Sequence, residues 1–153
     1  MSLAVRQARA DELPRTVDIR LAMIREIDGF DLDERRPGWR ERYTDFYGDG
    51  MAAGTAAVLF AEDDGAFAGM ACVYVLRNHR SEIFSEPSAI VSNVYVPPER
   101  RRQGIATALM RAAVGWARER GCVVVRLRSS EGGQPLYEAL GFSRTAEFEL
   151  RLT

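Results

Sequence analysis

Between Ala89 and Leu127 the chain switches from strand-like to helix-like patterning and back, and few folds accommodate that order. Ala89 to Val96 is a β-branched, apolar run of strand length, and Pro97-Pro98, which cannot donate ladder hydrogen bonds, stops it. From Gly104 to Arg120, Ile105, Ala108, Leu109, Ala112, Ala113 and Trp116 recur on one helical face, while Arg111, Arg118 and Glu119 fall largely outside it. Gly121 suits a helix C-terminus, and Cys122 to Leu127 is a second strand. Strand, helix and strand in this order predict a βαβ unit with parallel strands.

The flanking pattern is mixed. Val5 to Ala8 reads as a first strand; Asp11 then suits a helix cap, with Val17, Leu21, Ile24 and Ile27 at helical spacing before Gly29 breaks the run. A second helical stretch, Glu34 to Phe46, carries Trp39, Tyr43 and Phe46 and ends at Gly48-Asp49-Gly50. Strands Ala56–Ala61 and Ala66–Leu76 flank Asp63-Asp64-Gly65, a hairpin signal because Asp-Gly tolerates the positive φ of a tight turn. Asn78 to Ser88 reads as a polar loop, Gln134 to Leu140 as a short helix, and the alternating Phe148 to Leu152 as a last strand. We expect one domain over residues 1–153: a mixed α/β sheet, mostly antiparallel, with helices on both faces.

Several chemistries are excluded. All 21 basic residues are arginine, so a Walker-type phosphate loop and a lysine Schiff base are ruled out. One histidine, His79, and two cysteines 50 residues apart, Cys72 and Cys122, cannot build a four-ligand zinc site, and no other metal site is expected. Both thiols fall in apolar runs and read as reduced core residues. A net charge of −1 argues against a nucleic-acid partner held by bulk positive charge, despite the run Arg100-Arg101-Arg102. No 18-residue apolar run exists, and the first residues carry no apolar signal segment, so we expect a cytoplasmic protein with no membrane partner.

The segment Val94 to Leu109, V-Y-V-P-P-E-R-R-R-Q-G-I-A-T-A-L, carries the chemistry. A strand ends, the chain turns, and a long helix begins. Its first amides have no intrahelical acceptor, and the helix dipole adds about half a positive charge there. Such a terminus binds phosphate, and the small Gly104 and Ala106 let phosphate oxygens reach the backbone. A dinucleotide fold fits poorly: the sequence reads G-x-A-x-x-L rather than G-x-G-x-x-G, and no acidic residue follows near Arg120 to Val124.

This segment resembles the acetyl-CoA-binding motif of the GNAT superfamily of N-acetyltransferases, [Q/R]-x-x-G-x-[G/A], with Arg101, Gly104 and Ala106 in its defined places. Pro135 to Phe142, P-L-Y-E-A-L-G-F, is similar to the family's second motif. The resemblance implies a GNAT-like fold, with a central sheet of six to seven strands flanked by about four helices. It implies acetyl-CoA as co-substrate and a primary amine as acceptor. Pantetheine would run beside the backbone of Val94, Tyr95 and Val96, with the amides of Arg102, Gln103, Gly104, Ile105, Ala106 and Thr107 around the diphosphate and Arg101 also among the cofactor-binding residues. Tyr137 would act as general acid toward the CoA sulfur, although a short helix also suits it as a core tyrosine. Ser130 stands where many members carry an asparagine contacting pantetheine, and a hydroxyl replaces only part of an amide's hydrogen bonding.

Direct attack needs a neutral amine. An alkyl amine has a pKa of about 10.4, so its deprotonation at pH 7 costs about 4.6 kcal/mol. Some members use a glutamate on the central strands; here those strands read A-I-V-S-N-V-Y-V and C-V-V-V-R-L, without a carboxylate. Glu82, Glu86, Asp31, Asp33 and His79 are the candidate bases. Asp28, Asp31, Asp33 and Glu34 make the first helix junction acidic, which would suit a cationic acceptor, although Arg35 and Arg36 follow directly. The missing carboxylate leaves open an acyl-CoA-binding module without turnover. Exposed sheet edges would allow a homodimer.

Overall fold

A computed structural model describes residues 1–153, the side chain of Glu131 excepted. The strands are β1 (Leu3–Gln7), β2 (Ala56–Asp63), β3 (Ala66–Leu76), β4 (Ser88–Tyr95) and β5 (Val124–Arg126). The helices are α1 (Leu13–Asp28), α2 (Leu32–Arg35), α3 (Trp39–Ala53), α4 (His79–Phe84), α5 (Ile105–Glu119) and α6 (Gln134–Ala139). The strands form one sheet in sequence order, antiparallel throughout except for the parallel β4–β5 pair. The βαβ unit is therefore β4–α5–β5, as its two changes of periodicity predict.

Period-two alternation in the central strands splits the core into two layers. Ala57, Leu59 and Ala61 of β2 and Ala71 and Val73 of β3 join Ile105, Leu109, Met110, Ala113 and Trp116 of α5. Val58, Phe60, Met70 and Cys72 join Leu13 and Val17 of α1 and Trp39, Tyr43 and Tyr47 of α3 on the other face. Because both faces are covered, β2 and β3 read as near-continuous apolar runs.

Among the described residues there are five strands and six helices, rather than six to seven strands and about four helices. Phe148 to Leu152 forms no ladder: Phe148 is 97% exposed and Leu150 83%, so no neighbour rewards the alternating pattern. Arg128 instead draws the segment in through Glu147 (2.8 Å) and Glu149 (3.2 Å). The expected polar loop contains α4, whose first amides are capped by the Asn78 side chain. Asp11 does not cap α1; Glu12 accepts from the Arg9 amide (2.9 Å) ahead of it. The Gly48-Asp49-Gly50 stretch is helical, and α3 runs on to Ala53. Gly50 is needed for packing: a Cβ there would lie 2.5 Å from that of Ala56. The Asp64-Gly65 turn has positive φ at both residues (49° and 83°), as a type I′ hairpin requires.

Candidate active site

The site begins where β4 outlasts its neighbour. β5 pairs with β4 at only three positions, Ser88 to Val124 through Ile90 to Arg126. From Val91 onward β4 is held by β3 alone, so its other edge offers backbone groups with no ladder partner among the described residues. The β3–β4 register shifts between Cys72, opposite Ser92, and Met70, opposite Tyr95, which leaves one extra residue on β4. Asn93 takes a left-handed φ of 55° within that bulge. Bulges bend a strand and strengthen its twist, which accounts for the divergence from β5.

Beyond Pro97 a single 3-10 turn (Pro98–Arg100) leads to Arg102 (φ 62°) and Gly104 (φ 79°), both left-handed. Ala108 is the first residue of α5 to donate back, to Gly104 O at 3.1 Å. Among the described residues no acceptor meets the amides from Arg102 to Thr107. Successive amides in such a turn, followed by a helix N-terminus, form an anion-binding concavity. The helix end is seated tightly: a Cβ on Gly69 would lie 3.0 Å from both Ile105 Cγ2 and Tyr95 O, and 3.1 Å from Leu109 Cδ1.

The arginine triplet divides its labour. Arg100 donates to Asp63 (3.1 Å), fastening the turn to the β2–β3 hairpin. Arg101 donates to Val96 O and to Glu26 of α1, both at 2.9 Å. Arg102 is exposed and has no ion pair among the described residues, so it is the triplet member free to meet an added anion. Gln103 is exposed beside it; Ile105 is buried, and Ala106 and Thr107 are half-buried.

Val94, Val96 and Tyr137 pack against the same apolar cluster as Ile105. Tyr137 meets Phe142 edge-on, with centroids 6.0 Å apart, and burial alone pushes its phenol above the usual value. A Cβ on Gly133 would lie 3.0 Å from the Tyr137 ring, 3.2 Å from Ser129 Oγ and 3.5 Å from Ser130 Oγ, so the absent side chain makes room for all three. Ser130 is exposed, and its carbonyl accepts from the Gly133 amide.

The candidate bases are committed elsewhere. Asp31 accepts from Arg25 (2.7 Å), which holds its carboxyl below the usual range. Asp33 accepts from Arg40 and from Trp39 Nε1, each at 2.8 Å, and its pKa drops to about 2. Glu82 pairs with Arg77 and Glu86 with Arg80. His79 is exposed at the start of α4, edge-on to Phe84.

A pocket of about 600 Å³ opens on the α1–α3 face of the sheet. Ser92 and Asn93 form its floor at the β4 bulge, beside the unpaired strand edge. Tyr43, Phe46, Tyr47 and Tyr74 supply aromatic wall, and Arg20, Arg36 and Arg42 line it with charge. Sequence reasoning placed Tyr43 and Phe46 on the second helix but missed Tyr47 and the arginine lining. Counting tyrosines and arginines at helical spacing on one face of residues 39–47 is the signal that finds part of it.

Residues 21–142 match the acetyltransferase (GNAT) family. The chain belongs to that family. A GCN5-related N-acetyltransferase from Ralstonia eutropha superposes with a TM-score of 0.80 at 29% identity, covering 99% of each chain. A predicted acetyltransferase from Clostridium acetobutylicum, crystallised with acetyl-CoA, gives 0.80 at 23% identity over 98% of this chain and 96% of that one. An aminoglycoside N(6′)-acetyltransferase type 1 from Klebsiella aerogenes is 43% identical over 74 residues. That match covers 48% of each protein, so this GNAT chain is aligned with about half of its curated relative. Among the described residues no three His, Cys, Asp or Glu side chains group as a metal site, and no helix is long and apolar enough to cross a membrane.

Proposed function

We propose that the protein transfers the acetyl group of acetyl-CoA to a primary amine by direct attack. The observation that carries this is the run of six amides, Arg102 to Thr107, that lack a partner among the described residues, beside the edge of β4 that is likewise unpaired among them. That surface suits a diphosphate and an amide-bearing arm in the same order along the chain. The amides of Arg102, Gln103, Gly104, Ile105, Ala106 and Thr107 would hold the diphosphate, with the Arg102 side chain adding charge. Arg101 fixes the carbonyl of Val96 and so positions the strand end. Val94, Tyr95 and Val96 would offer backbone groups to pantetheine, and Ser130 a hydroxyl.

Acetyl-CoA would supply an activated thioester: the neutral amine's nitrogen bonds to the carbonyl carbon, the C–S bond breaks with its electron pair on sulfur, the nitrogen gives up one proton to water, and the thiolate takes up one to leave as free thiol. Tyr137 would stabilise that sulfur. A phenol above pKa 10 facing a thiol of about 8.5 makes complete proton transfer uphill by more than about 2 kcal/mol, so hydrogen bonding to the thiolate comes first. The acceptor would enter from the α1–α3 face, where the pocket floor meets the strand edge. We place the protein in the cytoplasm, where its two free thiols stay reduced. A homodimer would cover the exposed Phe148, Leu150 and Leu152. Release of free thiol from acetyl-CoA across an amine panel tests the function; no release with any amine refutes it.

A further inference from the structure

We propose that the acceptor is an anionic amine, a small primary amine that also carries a carboxylate or a phosphate on an apolar or ring-shaped body. This rests on the acetyltransfer reading above and names the substrate class of that site. The pocket beside the β4 bulge has a volume of about 600 Å³, within the usual range for a small-molecule site. Its charged lining is arginine only: Arg20 from α1, Arg36 from the turn after α2, and Arg42 from α3.

These three are not spent on carboxylates. Arg36 and Arg42 each use one N–H on a nearby backbone carbonyl, Arg35 O and Pro37 O, both at 3.2 Å. Arg20 lies over the Tyr43 ring, 5.5 Å from its centroid. Among the described residues none of the three has an ion pair, and most of their five donors face no protein acceptor. The acids of the neighbouring junction are neutralised by other arginines, Asp31 by Arg25 and Asp33 by Arg40, with Asp18 3.6 Å from Arg40. Arg36 and Arg42 are exposed and Arg20 is half-buried, so water solvates the three guanidinium groups in the free protein, and their unpaired forks match carboxylate and phosphate alike. The same charge repels a polycation, so an acidic junction in the sequence does not yield a cation-binding pocket in the fold.

The arrangement also answers the missing base. Desolvation against Tyr43, Tyr47 and Phe46, together with three like charges, disfavours the ammonium form of a bound amine. The anion holds the substrate while its amine loses a proton to water, and no protein carboxylate is required.

The test uses matched pairs: L-phenylalanine against L-phenylalaninamide, and glucosamine 6-phosphate against glucosamine, with neamine as a polycation. Calorimetry on the full chain without acetyl-CoA reads binding apart from turnover. We expect at least one anionic member to bind about tenfold or more tighter than its neutral partner, and the phenylalanine and sugar arms to tell carboxylate from phosphate. In Arg20→Gln, Arg36→Gln and Arg42→Gln combined, that ratio falls below threefold; the three Arg→Lys replacements restore part of it. Acetyl-CoA affinity, unchanged within twofold, shows that the variants fold. Equal binding of both members of each pair, or preferential binding of neamine, overturns the proposal. Anion-selective binding without thiol release from acetyl-CoA keeps this inference and refutes the acetyltransfer reading instead.

Discussion

Replacing Gly69 with alanine tests how the diphosphate cradle is held in place. The added methyl carbon would sit 3.0 Å from Ile105 Cγ2 and from Tyr95 O, and 3.1 Å from Leu109 Cδ1. Ordinary carbon contacts lie at about 3.5–4.0 Å, so all three neighbours must retreat by several tenths of an ångström. Two belong to the first turn and a half of α5, and the third is the backbone of β4 where pantetheine would lie. Overpacking of this kind costs about 1–3 kcal/mol. For a chain of this size each kcal/mol lowers Tm by about 2–4 °C, so the variant should melt about 2–12 °C lower. The same displacement moves the amides after Gly104 away from β4, and acetyl-CoA affinity should fall more than fivefold at a temperature where the variant is fully folded. Scanning calorimetry and isothermal titration read the two effects separately. Unchanged Tm together with unchanged affinity would refute the packing argument; lowered Tm with unchanged affinity would refute the link from packing to cradle.

Three further outcomes are expected. If the phenol acts on the departing sulfur as proposed, Tyr137→Phe should lower kcat by at least tenfold while acetyl-CoA binding changes less than twofold; titration and single-turnover rates separate these. Arg102→Ala should weaken acetyl-CoA binding and reduce its salt dependence, because Arg102 alone of the triplet has no carboxylate partner among the described residues; binding measured from low to high salt checks it. Glu12 accepts from Arg6 at 2.7 and 2.9 Å and from the Arg9 amide, and its pKa is lowered to about 2. A depressed folded pKa contributes stability that is present above the unfolded value near 4.5 and is lost as pH falls toward about 2. Glu12→Gln should therefore flatten that acid limb in urea melts.

The strand–helix–strand core was legible because periodicity there is set by burial on both sheet faces. Ile105, Leu109, Ala113 and Trp116 recur on the α5 face that packs on the sheet. The turn into α5 was legible through Gly104, whose left-handed cap the helix start requires. Phe148 to Leu152 misled, because alternation marks a strand only where a neighbouring edge accepts it. Gly50 misled for the opposite reason: its missing side chain serves close contact with Ala56, not a turn. The arginine lining of the pocket on the α1–α3 face was hidden because charge in sequence does not reveal its partner. Asp31 and Asp33 look like a cation site until Arg25 and Arg40 are seen to neutralise them, leaving Arg20, Arg36 and Arg42 to line the cavity.

Main-chain hydrogens, rather than charged side chains, are the claimed grip on the co-substrate, and amide-resolved NMR reads them directly. Titration of ¹⁵N-labelled protein with coenzyme A should shift the amide protons of Arg102 to Thr107 downfield in a saturable way. Pantetheine, which lacks the diphosphate, should move residues along β4 and leave those six amides in place. Identical responses to both ligands in the 102–107 segment, or no response there at saturating coenzyme A, would contradict the account.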